Sequence, residues 1–249
     1  MECSRIGFNF LYICTMRHWL LFLSFLMCTL ATSAQYCSLQ EGRKLYYAVS
    51  DGENESEAYT LVSDVTERND SCFITLSDWI PQLSGQMKDP LFTSQVVYAN
   101  GCTLIYLQDE DSEKQNINAM LEGMLSEKEL AKAQEEFSVE GQICLLLNGE
   151  VEKGDKMAPC KQTMHVGPLS ITTSLKGKYA GIETVSVPAG EFECIKVVYT
   201  LKSKMLLFSD TVEITEWYAR GIGLIKQEEV NKKSDRKKIK QLKRVEKVG

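Results

Sequence analysis

Histidine is scarce in this sequence: its 249 residues contain His18 and His165. A serine or cysteine nucleophile needs a neighbouring imidazole to accept its proton, and the sequence also lacks the Gly-x-Ser-x-Gly turn that presents a catalytic serine. His165 lies in a strand-like context at residues 163–166. We interpret it as an ordinary strand residue, name no catalytic residue and predict a protein that is not an enzyme.

Clustered metal ligands and glycine-rich phosphate loops are missing as well. Cys144 and Cys160 are sixteen positions apart and lack partner histidines, so no zinc site is predicted. The acidic runs at 51–57 and 109–111 do not have the glycine and glutamate spacing of a calcium-binding loop. The glycines at 221–223 lie between predicted strands and open no helix, unlike a phosphate-binding turn. The sequence therefore predicts no metal and no cofactor.

A membrane-spanning run of apolar residues is also lacking. The run from Trp19 to Leu30 has twelve residues, whereas a stable spanning helix takes roughly 20. It follows Arg17 and precedes four small residues ending at Ala34, which is the layout of a secretory signal peptide. Residues 1–34 are therefore predicted to be a signal that is cleaved after Ala34, with no permanent membrane span. A start at Met16 would give the same signal with a shorter, charged beginning.

An excess of positive charge is absent too. Removing residues 1–34 takes away two arginines and one glutamate, which leaves 26 basic against 33 acidic side chains and a net charge of about −7. Non-specific nucleic-acid binding depends on exchanging cations along the phosphates, so an acidic chain argues against it. We interpret the basic tail from Lys232 to Arg244 as a solvated edge strand protected by lysines.

Six of the nine cysteines follow residue 34: Cys37, Cys72, Cys102, Cys144, Cys160 and Cys194. An even number of cysteines in an exported chain permits disulfide bonds, but a sequence cannot rank their connectivities. A domain of 215 residues can also bury enough apolar surface to fold without them. Disulfides and free buried thiols therefore both remain open on sequence grounds.

Short β-strands are predicted on both sides of a central segment. β-Forming segments recur about every ten residues, at 44–50, 59–66, 72–77, 95–98, 103–107, 143–147, 169–175, 181–187, 192–201, 211–219, 224–230 and 239–245. Asn100 and Gly101 form the strongest hairpin signal, and residues 188–190 predict another hairpin loop. Because strands and helices do not alternate, the predicted fold class is mainly β, an antiparallel curved sheet or incomplete barrel.

The segment from about 112 to 137 has a helical composition. Glu, Lys, Gln, Ala, Met and Leu replace β-branched residues, and Met120 and Met124 recur at helical spacing. Ser126 and Glu129 form a capping-box pattern. The domain at 35–249 is thus predicted to carry a short helical insert, whose apolar face either packs on the sheet or forms a lid over a groove.

Three stretches carry the most specific pattern in the chain. They are residues 153–157 (Lys-Gly-Asp-Lys-Met), residues 181–197, which contain Val-Pro-Ala-Gly-Glu-Phe-Glu-Cys, and residues 216–226, which begin Glu-Trp-Tyr. These stretches resemble the DUF3108-like family of exported proteins of unknown function, found largely in Bacteroidetes. Met157 stands where that family usually has a leucine.

The resemblance is loose over residues 37–109 and close over residues 151–226. It implies an antiparallel half-barrel akin to lipoprotein-carrier (LolA-like) folds. It also implies a periplasmic or secreted protein of a Gram-negative envelope. It implies no reaction, because the family has no assigned catalytic residues to carry over.

A curved sheet with one apolar concave face must fill that face, cover it or bind something there. The leading hypothesis is therefore a non-catalytic periplasmic binding or carrier module for an apolar or amphiphilic ligand such as a lipid. The candidate groove residues are Tyr46, Tyr98, Met120, Met124, Trp217 and Tyr218. The alternative is a structural module that fills its own core and binds an envelope protein, and the third hypothesis is a carboxylate-dependent hydrolase.

Overall fold

Thirteen β-strands make up the described part of the chain in a computed structural model of the protein. The structure describes residues 34–52, 54–79, 92–107, 135–167, 169–206 and 208–246, together with residues 114, 126, 128 and 131. The strands are β1 (Lys44–Ser50), β2 (Glu55–Arg68), β3 (Ser71–Trp79), β4 (Phe92–Ala99), β5 (Cys102–Tyr106), β6 (Ser138–Gln142), β7 (Cys144–Asn148), β8 (Cys160–Val166), β9 (Leu169–Val187), β10 (Gly190–Met205), β11 (Phe208–Ala219), β12 (Gly223–Asn231) and β13 (Lys237–Glu246).

All thirteen strands belong to one sheet, in the order β6, β8, β9, β10, β11, β12, β13, β1, β2, β3, β4, β5, β7. Each neighbouring pair is antiparallel. Most neighbours are consecutive in sequence and are joined as hairpins. The exceptions are the pairs β1–β13, β5–β7 and β6–β8, which connect distant parts of the chain.

The two edge strands of this sheet are adjacent in sequence. β6 ends at Gln142 and β7 begins at Cys144, so only Ile143 separates them. The chain therefore brings the two ends of the sheet together, and the sheet curves into a nearly closed barrel. The backbone N–H of Leu107, just after β5, donates to the carbonyl of Ile143 at 3.1 Å. The predicted mainly β, antiparallel curved sheet is confirmed.

Alternating burial explains why these segments form strands. In β1, Leu45, Tyr47 and Val49 are buried, whereas the positions between them are half-buried. Successive side chains of a strand point to opposite faces, so this pattern buries one face of β1. The same alternation appears in β5, where Thr103 and Ile105 are the buried positions.

Two clusters of buried side chains form the core. The larger cluster extends from Val62 in β2 and Ile74 in β3 to Leu145 in β7. The smaller cluster packs Trp217 of β11 with side chains of β1 and β13. The backbone N–H of Ala189, in the β9–β10 turn, donates to the carbonyl of Leu242 at 3.1 Å. This hairpin end therefore contacts β13 directly.

The residues on both sides of the predicted cleavage site are part of the core. Tyr36 and Cys37 are buried, and the N–H of Tyr36 donates to Thr103 Oγ1 at 2.9 Å. The Thr103 hydroxyl donates in turn to the carbonyl of Ala34 at 2.8 Å. The N–H of Gly221 donates to the carbonyl of Gln35 at 2.7 Å. Residues 34–37 are thus held from two separate parts of the barrel.

Both strong turn predictions are confirmed. Asn100 and Gly101 join β4 to β5, and their φ angles of 51° and 73° are the positive values that a two-residue hairpin of this type requires. Pro188 and Ala189 join β9 to β10, and Gly190 opens β10 with a φ of 130°. Glycine adopts such a conformation without steric cost.

The structure differs from the sequence predictions in four strands. The basic tail was interpreted as an edge strand, but its strand, β13, pairs with both β12 and β1. The segments predicted at 169–175 and 181–187 form one strand, β9. The chain does not turn at Gly177, and a bulge further along lets the strand continue. Lys196 pairs with Gly181 and Val197 pairs with Tyr179, which leaves Ala180 as a bulge. β6 was not predicted as a strand, and β8 was predicted only at residues 163–166, the strand-like context of His165. β6 is mostly exposed, so it has no apolar alternation to detect.

Two predicted segments cannot be compared with the structure. The signal segment up to residue 33 and most of the helical insert at 112–137 lie outside the described residues, so both stay predictions. Within the part of the chain that the structure describes, no helix has the length and apolar character needed to cross a membrane.

Gly177 lies where the neighbouring strand leaves no room for a side chain. A Cβ atom there would lie 2.5 Å from Tyr199 Cβ and 2.7 Å from the carbonyl oxygen of Val198. Gly177→Ala is therefore expected to lower the free energy of unfolding by about 1–3 kcal/mol through overpacking. Urea unfolding followed by tryptophan fluorescence measures this change. The control is Lys176→Ala at the exposed neighbouring position, and equal urea midpoints for the two variants would contradict the prediction.

Candidate functional site

A cavity of about 190 Å³ lies on the concave side of the sheet. One part of its wall is apolar and comes from β1 to β5 and the residue after β5. Its side chains are Leu45, Val62, Leu76, Val96, Ile105 and Leu107. The strand register explains the clustering, because Val62 pairs with Leu76 and Val96 pairs with Ile105. Paired residues of neighbouring strands point to the same face.

The other part of the cavity wall is polar and comes mainly from β11 to β13. Glu216 pairs with Gln227, and Gln227 pairs with Lys240. These three side chains therefore form one row across three neighbouring strands, and all three line the cavity. We call them the polar row. The cavity lining thus combines apolar side chains with the polar row, and β2 to β4 add the polar side chains of Thr60, Asp78 and Ser94.

Glu216 is buried, with 3% of its surface exposed. Its Oε1 accepts a hydrogen bond from Gln227 Nε2 at 2.7 Å, and its Oε2 accepts one from the Tyr218 hydroxyl at 2.9 Å. Burial raises the pKa of the Glu216 carboxyl, and nearby Glu229 adds to the rise, whereas hydrogen bonds from Tyr218, Tyr199 and Gln227 oppose it. A buried carboxyl with a perturbed pKa beside a cavity is a common feature of functional sites.

Lys240 connects the polar row to the opposite side of the cavity. Its Nζ lies 3.7 Å from Asp78 Oδ1 on β3 and 4.4 Å from the centre of the Tyr47 ring on β1. Asp78 also accepts a short hydrogen bond from Thr60 Oγ1 on β2. Because β1 and β2 separate β13 from β3 in the sheet, the lysine side chain reaches across the concave face of two strands. It therefore brings a positive charge next to Tyr47 and Asp78.

A second, larger cleft of about 630 Å³ lies where several strands end. It is lined by Asp51 and Asn54 of the β1–β2 turn, by Val212, Glu229 and Asn231, and by the cationic residues 236–238. Turn residues and mixed surface charges line this cleft. We favour the smaller cavity as the candidate site because it combines apolar walls with buried polar groups.

Among the predicted groove residues, the structure brings Tyr218 to the cavity. Trp217, the next residue along β11, points to the opposite face. Its indole N–H donates to Glu183 Oε1 at 2.6 Å, and the ammonium groups of Lys196 and Lys226 lie 5.0 Å and 4.8 Å from the centre of its ring. Trp217 therefore packs in the smaller core cluster, with charged groups around its ring, and does not line the cavity.

The other predicted groove residues do not line this cavity or cannot be compared. Tyr46 lies between the cavity residues Leu45 and Tyr47, on the other face of β1, with the Arg244 guanidinium 3.7 Å from the centre of its ring. Tyr98 is half-buried against the larger core cluster. Met120 and Met124 lie outside the described residues.

The polar row is the feature that sequence reasoning missed. Glu216 and Tyr218 are two positions apart in a strand, so they share a face. An acidic residue on the face of a predicted inward tyrosine is a detectable signal for a buried carboxyl. Gln227 and Lys240 carried no such signal, because their placement beside Glu216 depends on the register of three strands.

Metal binding has no support within the described residues, where no group of three or more His, Cys, Asp or Glu side chains is arranged to hold an ion. The cavity lining offers a ligand hydrogen-bonding groups, the positive charge of Lys240 and apolar side chains.

Two solved structures share this fold. A Bacteroides fragilis protein inferred to be exported, with a YmcC-like fold, is 16% identical, and the match covers 85% of this chain and 98% of that one with a TM-score of 0.57. A Parabacteroides distasonis protein inferred to be a lipoprotein is 14% identical, with the same coverage and a TM-score of 0.58. The barrel therefore has the YmcC-like fold.

A protein family model matches part of the second half of the chain. Residues 152–242 match the DUF3108-like family, which confirms the resemblance found in the sequence. The matched region includes β8 to β12 and most of β13, and so all three members of the polar row. No curated protein matches the chain.

The raised pKa of Glu216 predicts a pH dependence of stability. Below the ordinary pKa of glutamate, about 4.3, the carboxyl is protonated in both the folded and the unfolded protein. As the pH rises from there through the folded pKa, the unfolded chain loses the proton first, so the free energy of unfolding falls. Glu216→Gln removes this titration, and we expect its stability to exceed that of the wild type increasingly over the same pH range.

Urea unfolding across a pH series measures this difference. The control is Glu213→Gln, since Glu213 lies on the same strand but has 46% of its side chain exposed and is paired with Lys232. Its stability curve should keep the pH dependence of the wild type. Parallel curves for the wild type and Glu216→Gln would show that Glu216 titrates normally.

Proposed function

We propose that this protein is a non-catalytic binding or carrier module of the bacterial envelope. Its barrel interior holds the apolar part of an amphiphilic ligand, and the polar row holds the ligand's head group. The observation that carries this proposal is the mixed lining of the cavity, in which apolar side chains, mostly from β1 to β5, lie opposite the polar row of β11 to β13. Export is supported by the predicted signal peptide and by the exported or lipoprotein character inferred for the two structural relatives.

The polar side of the cavity offers complementary groups to a ligand's head. Gln227 and the Tyr218 hydroxyl are already oriented by Glu216, and Lys240 supplies a positive charge that Asp78 partly balances at 3.7 Å. A carboxylate or phosphate oxygen of a ligand would gain a charged donor from Lys240. Donor groups that are already held in place need little rearrangement when a ligand binds.

The volume of the cavity limits the size of the ligand that it can hold. With about 30 Å³ per water-sized group, a volume of 190 Å³ accommodates about six such groups. Drug-sized ligand pockets usually occupy about 300–1,000 Å³. The proposed ligand is therefore a short-chain amphiphile, or one end of a longer acyl chain.

The small volume also favours a second candidate function. A structural or protein-binding module would fill its interior with its own side chains, and large side chains such as Tyr47 and Tyr218 already occupy much of this interior. Such a protein would carry no ligand, and its partner would be another protein of the envelope.

The tip of the β10–β11 hairpin supports contact with lipid. Leu206 and Phe208 are 73% and 72% exposed, and Lys202 and Lys204 nearby on β10 are also exposed. Apolar side chains flanked by lysines suit the surface of an anionic membrane, where the chains enter the interface and the ammonium groups contact head groups. A carrier of amphiphiles needs such a surface to collect its cargo.

Ser94 provides a test of the cavity as the binding site. It lines the cavity on β4, and Ser94→Phe should fill the space and weaken binding of the fluorescent fatty acid cis-parinaric acid by roughly tenfold or more. The matched control is Val97→Phe, because Val97 pairs with the exposed Phe73 on the other face of β4. Fluorescence titration measures both.

Native mass spectrometry of residues 35–249 purified from a bacterial periplasm completes this test. Extra mass that disappears on denaturation and has an acyl composition would support the carrier function. Wild-type protein that carries no ligand and does not bind the probe would favour the protein-binding module. Equal binding by the wild type and Ser94→Phe would place the ligand elsewhere.

Phe208 tests the proposed lipid contact separately. Phe208→Ser should reduce the fraction of protein that floats with vesicles of mixed phosphatidylcholine and phosphatidylglycerol, because it removes an exposed aromatic anchor. Ile182→Ser is the control, since Ile182 is 53% exposed on β9 but lies away from this tip in the strand register. An equal loss of flotation in both variants would contradict a specific role for the tip.

A further inference from the structure

Cys144 and Cys160 meet where the barrel closes. Cys144 is the first residue of β7, an edge strand, and Cys160 is the first residue of β8, which lies next to the opposite edge. Their Sγ atoms are 3.3 Å apart, and Cys160 Sγ lies 3.2 Å from the carbonyl oxygen of Cys144. The two thiols therefore face each other across the seam between the ends of the sheet.

In the described residues, no ladder of backbone hydrogen bonds joins β7 to β8, and side chains make the contacts across this seam. β7 and β8 are at opposite ends of the strand order and are not ladder partners. Another contact across the seam is made by Tyr179 of β9, whose hydroxyl donates a short hydrogen bond to the carbonyl of Leu146 in β7. A covalent bond at Cys144 and Cys160 would therefore join parts of the sheet that lack a continuous backbone ladder.

We propose that Cys144 and Cys160 form a disulfide bond that closes the barrel seam after export. The oxidant belongs to the class of thiol oxidoreductases that carry a reactive disulfide. A thiolate of one cysteine attacks that disulfide and forms a mixed disulfide, and the second thiolate then displaces the oxidoreductase. The two thiols lose two electrons and two protons, and the oxidoreductase leaves as a dithiol.

The geometry favours this pair over the other cysteines. A disulfide has a sulfur–sulfur distance of about 2.05 Å, so sulfurs that are 3.3 Å apart need to approach by only about 1.3 Å. All six cysteines of the described residues are free thiols in the structure. Cys37 and Cys194 are buried, and they belong to different core clusters.

The surroundings of Cys144 indicate a structural bond and not a catalytic thiol. Burial, followed by the hydrogen bond and charge interaction with Cys160, raises the pKa of Cys144 to about 12. Little thiolate is present at neutral pH under these conditions, so the folded dithiol is a poor nucleophile. The bond is therefore expected to form during folding, when the oxidoreductase can reach the cysteines, and to persist afterwards.

Peptide mapping of the wild-type chain, exported with its own signal into a bacterial periplasm, tests the proposal. Cells are quenched in acid, free thiols are alkylated with N-ethylmaleimide under denaturing conditions, and the protein is digested with trypsin without reduction. Cleavage after Lys153 and Lys156 separates the two cysteines. The expected product is a linked pair of peptides that contains Cys144 and Cys160 and lacks two hydrogen atoms relative to the free thiols.

Three variants make the assignment specific. Cys144→Ser and Cys160→Ser should each leave the other cysteine newly alkylated, whereas Cys72→Ser, a half-buried strand cysteine, should keep the linked pair. Alkylation of both cysteines in the wild type, or linkage of either one to a different cysteine, would overturn the proposal. Because the wild-type map alone decides between these outcomes, a variant that fails to fold does not affect the test.

Wild-type protein also allows a physical readout of the seam. Adding a reductant should lower its urea midpoint, because opening the bond frees the loop between β7 and β8 in the unfolded chain. The Cys144→Ser/Cys160→Ser double variant should show no such shift. An equal shift in the double variant would assign the stabilisation to another bond.

Discussion

The barrel depends on one constraint of chain connectivity: the first and last strands of the sheet are separated by a single residue. β6 and β7 flank Ile143 and lie at opposite ends of the strand order. An open sheet of thirteen strands would leave two unpaired edges, which invite pairing with other chains. Here the chain itself brings the edges together, and the enclosed concave face becomes the interior. The enclosed cavity and the meeting of the two cysteines both result from this closure.

The interior is unusual for a barrel core because it combines aliphatic walls with a buried carboxyl. Burying a charge without partners costs much free energy, and the protein limits this cost in two ways. Burial raises the pKa of Glu216, and three side chains, those of Tyr199, Tyr218 and Gln227, donate hydrogen bonds to its carboxyl. A core selected only for stability could replace this network with apolar side chains. Its presence beside a cavity is consistent with a role in recognising a polar group.

Local sequence signals predicted much of the fold. The bounds of β1, the hairpin at Asn100 and Gly101 and the turn at residues 188–190 follow from alternation and turn chemistry, which act over a few residues. β6 was missed because it is almost entirely exposed. β9 was divided in two because Gly177 resembles a strand break, whereas its lack of a side chain in fact permits close approach to Tyr199. That contact involves a residue more than twenty positions away and has no local signature.

The candidate site was less predictable than the fold. Tyr218 lines the cavity, but Trp217 lies on the opposite face of β11, where it contacts Glu183. Side chains of neighbouring residues in a strand point to opposite faces. The sequence by itself determined the β-rich class, the turns and the relation to the DUF3108-like family, since these depend on local patterns of residues. Only the tertiary structure decided the closure of the sheet, the row of Glu216, Gln227 and Lys240 and the meeting of Cys144 with Cys160. Each of these depends on strand order and register, which long-range backbone pairing sets and no short segment encodes.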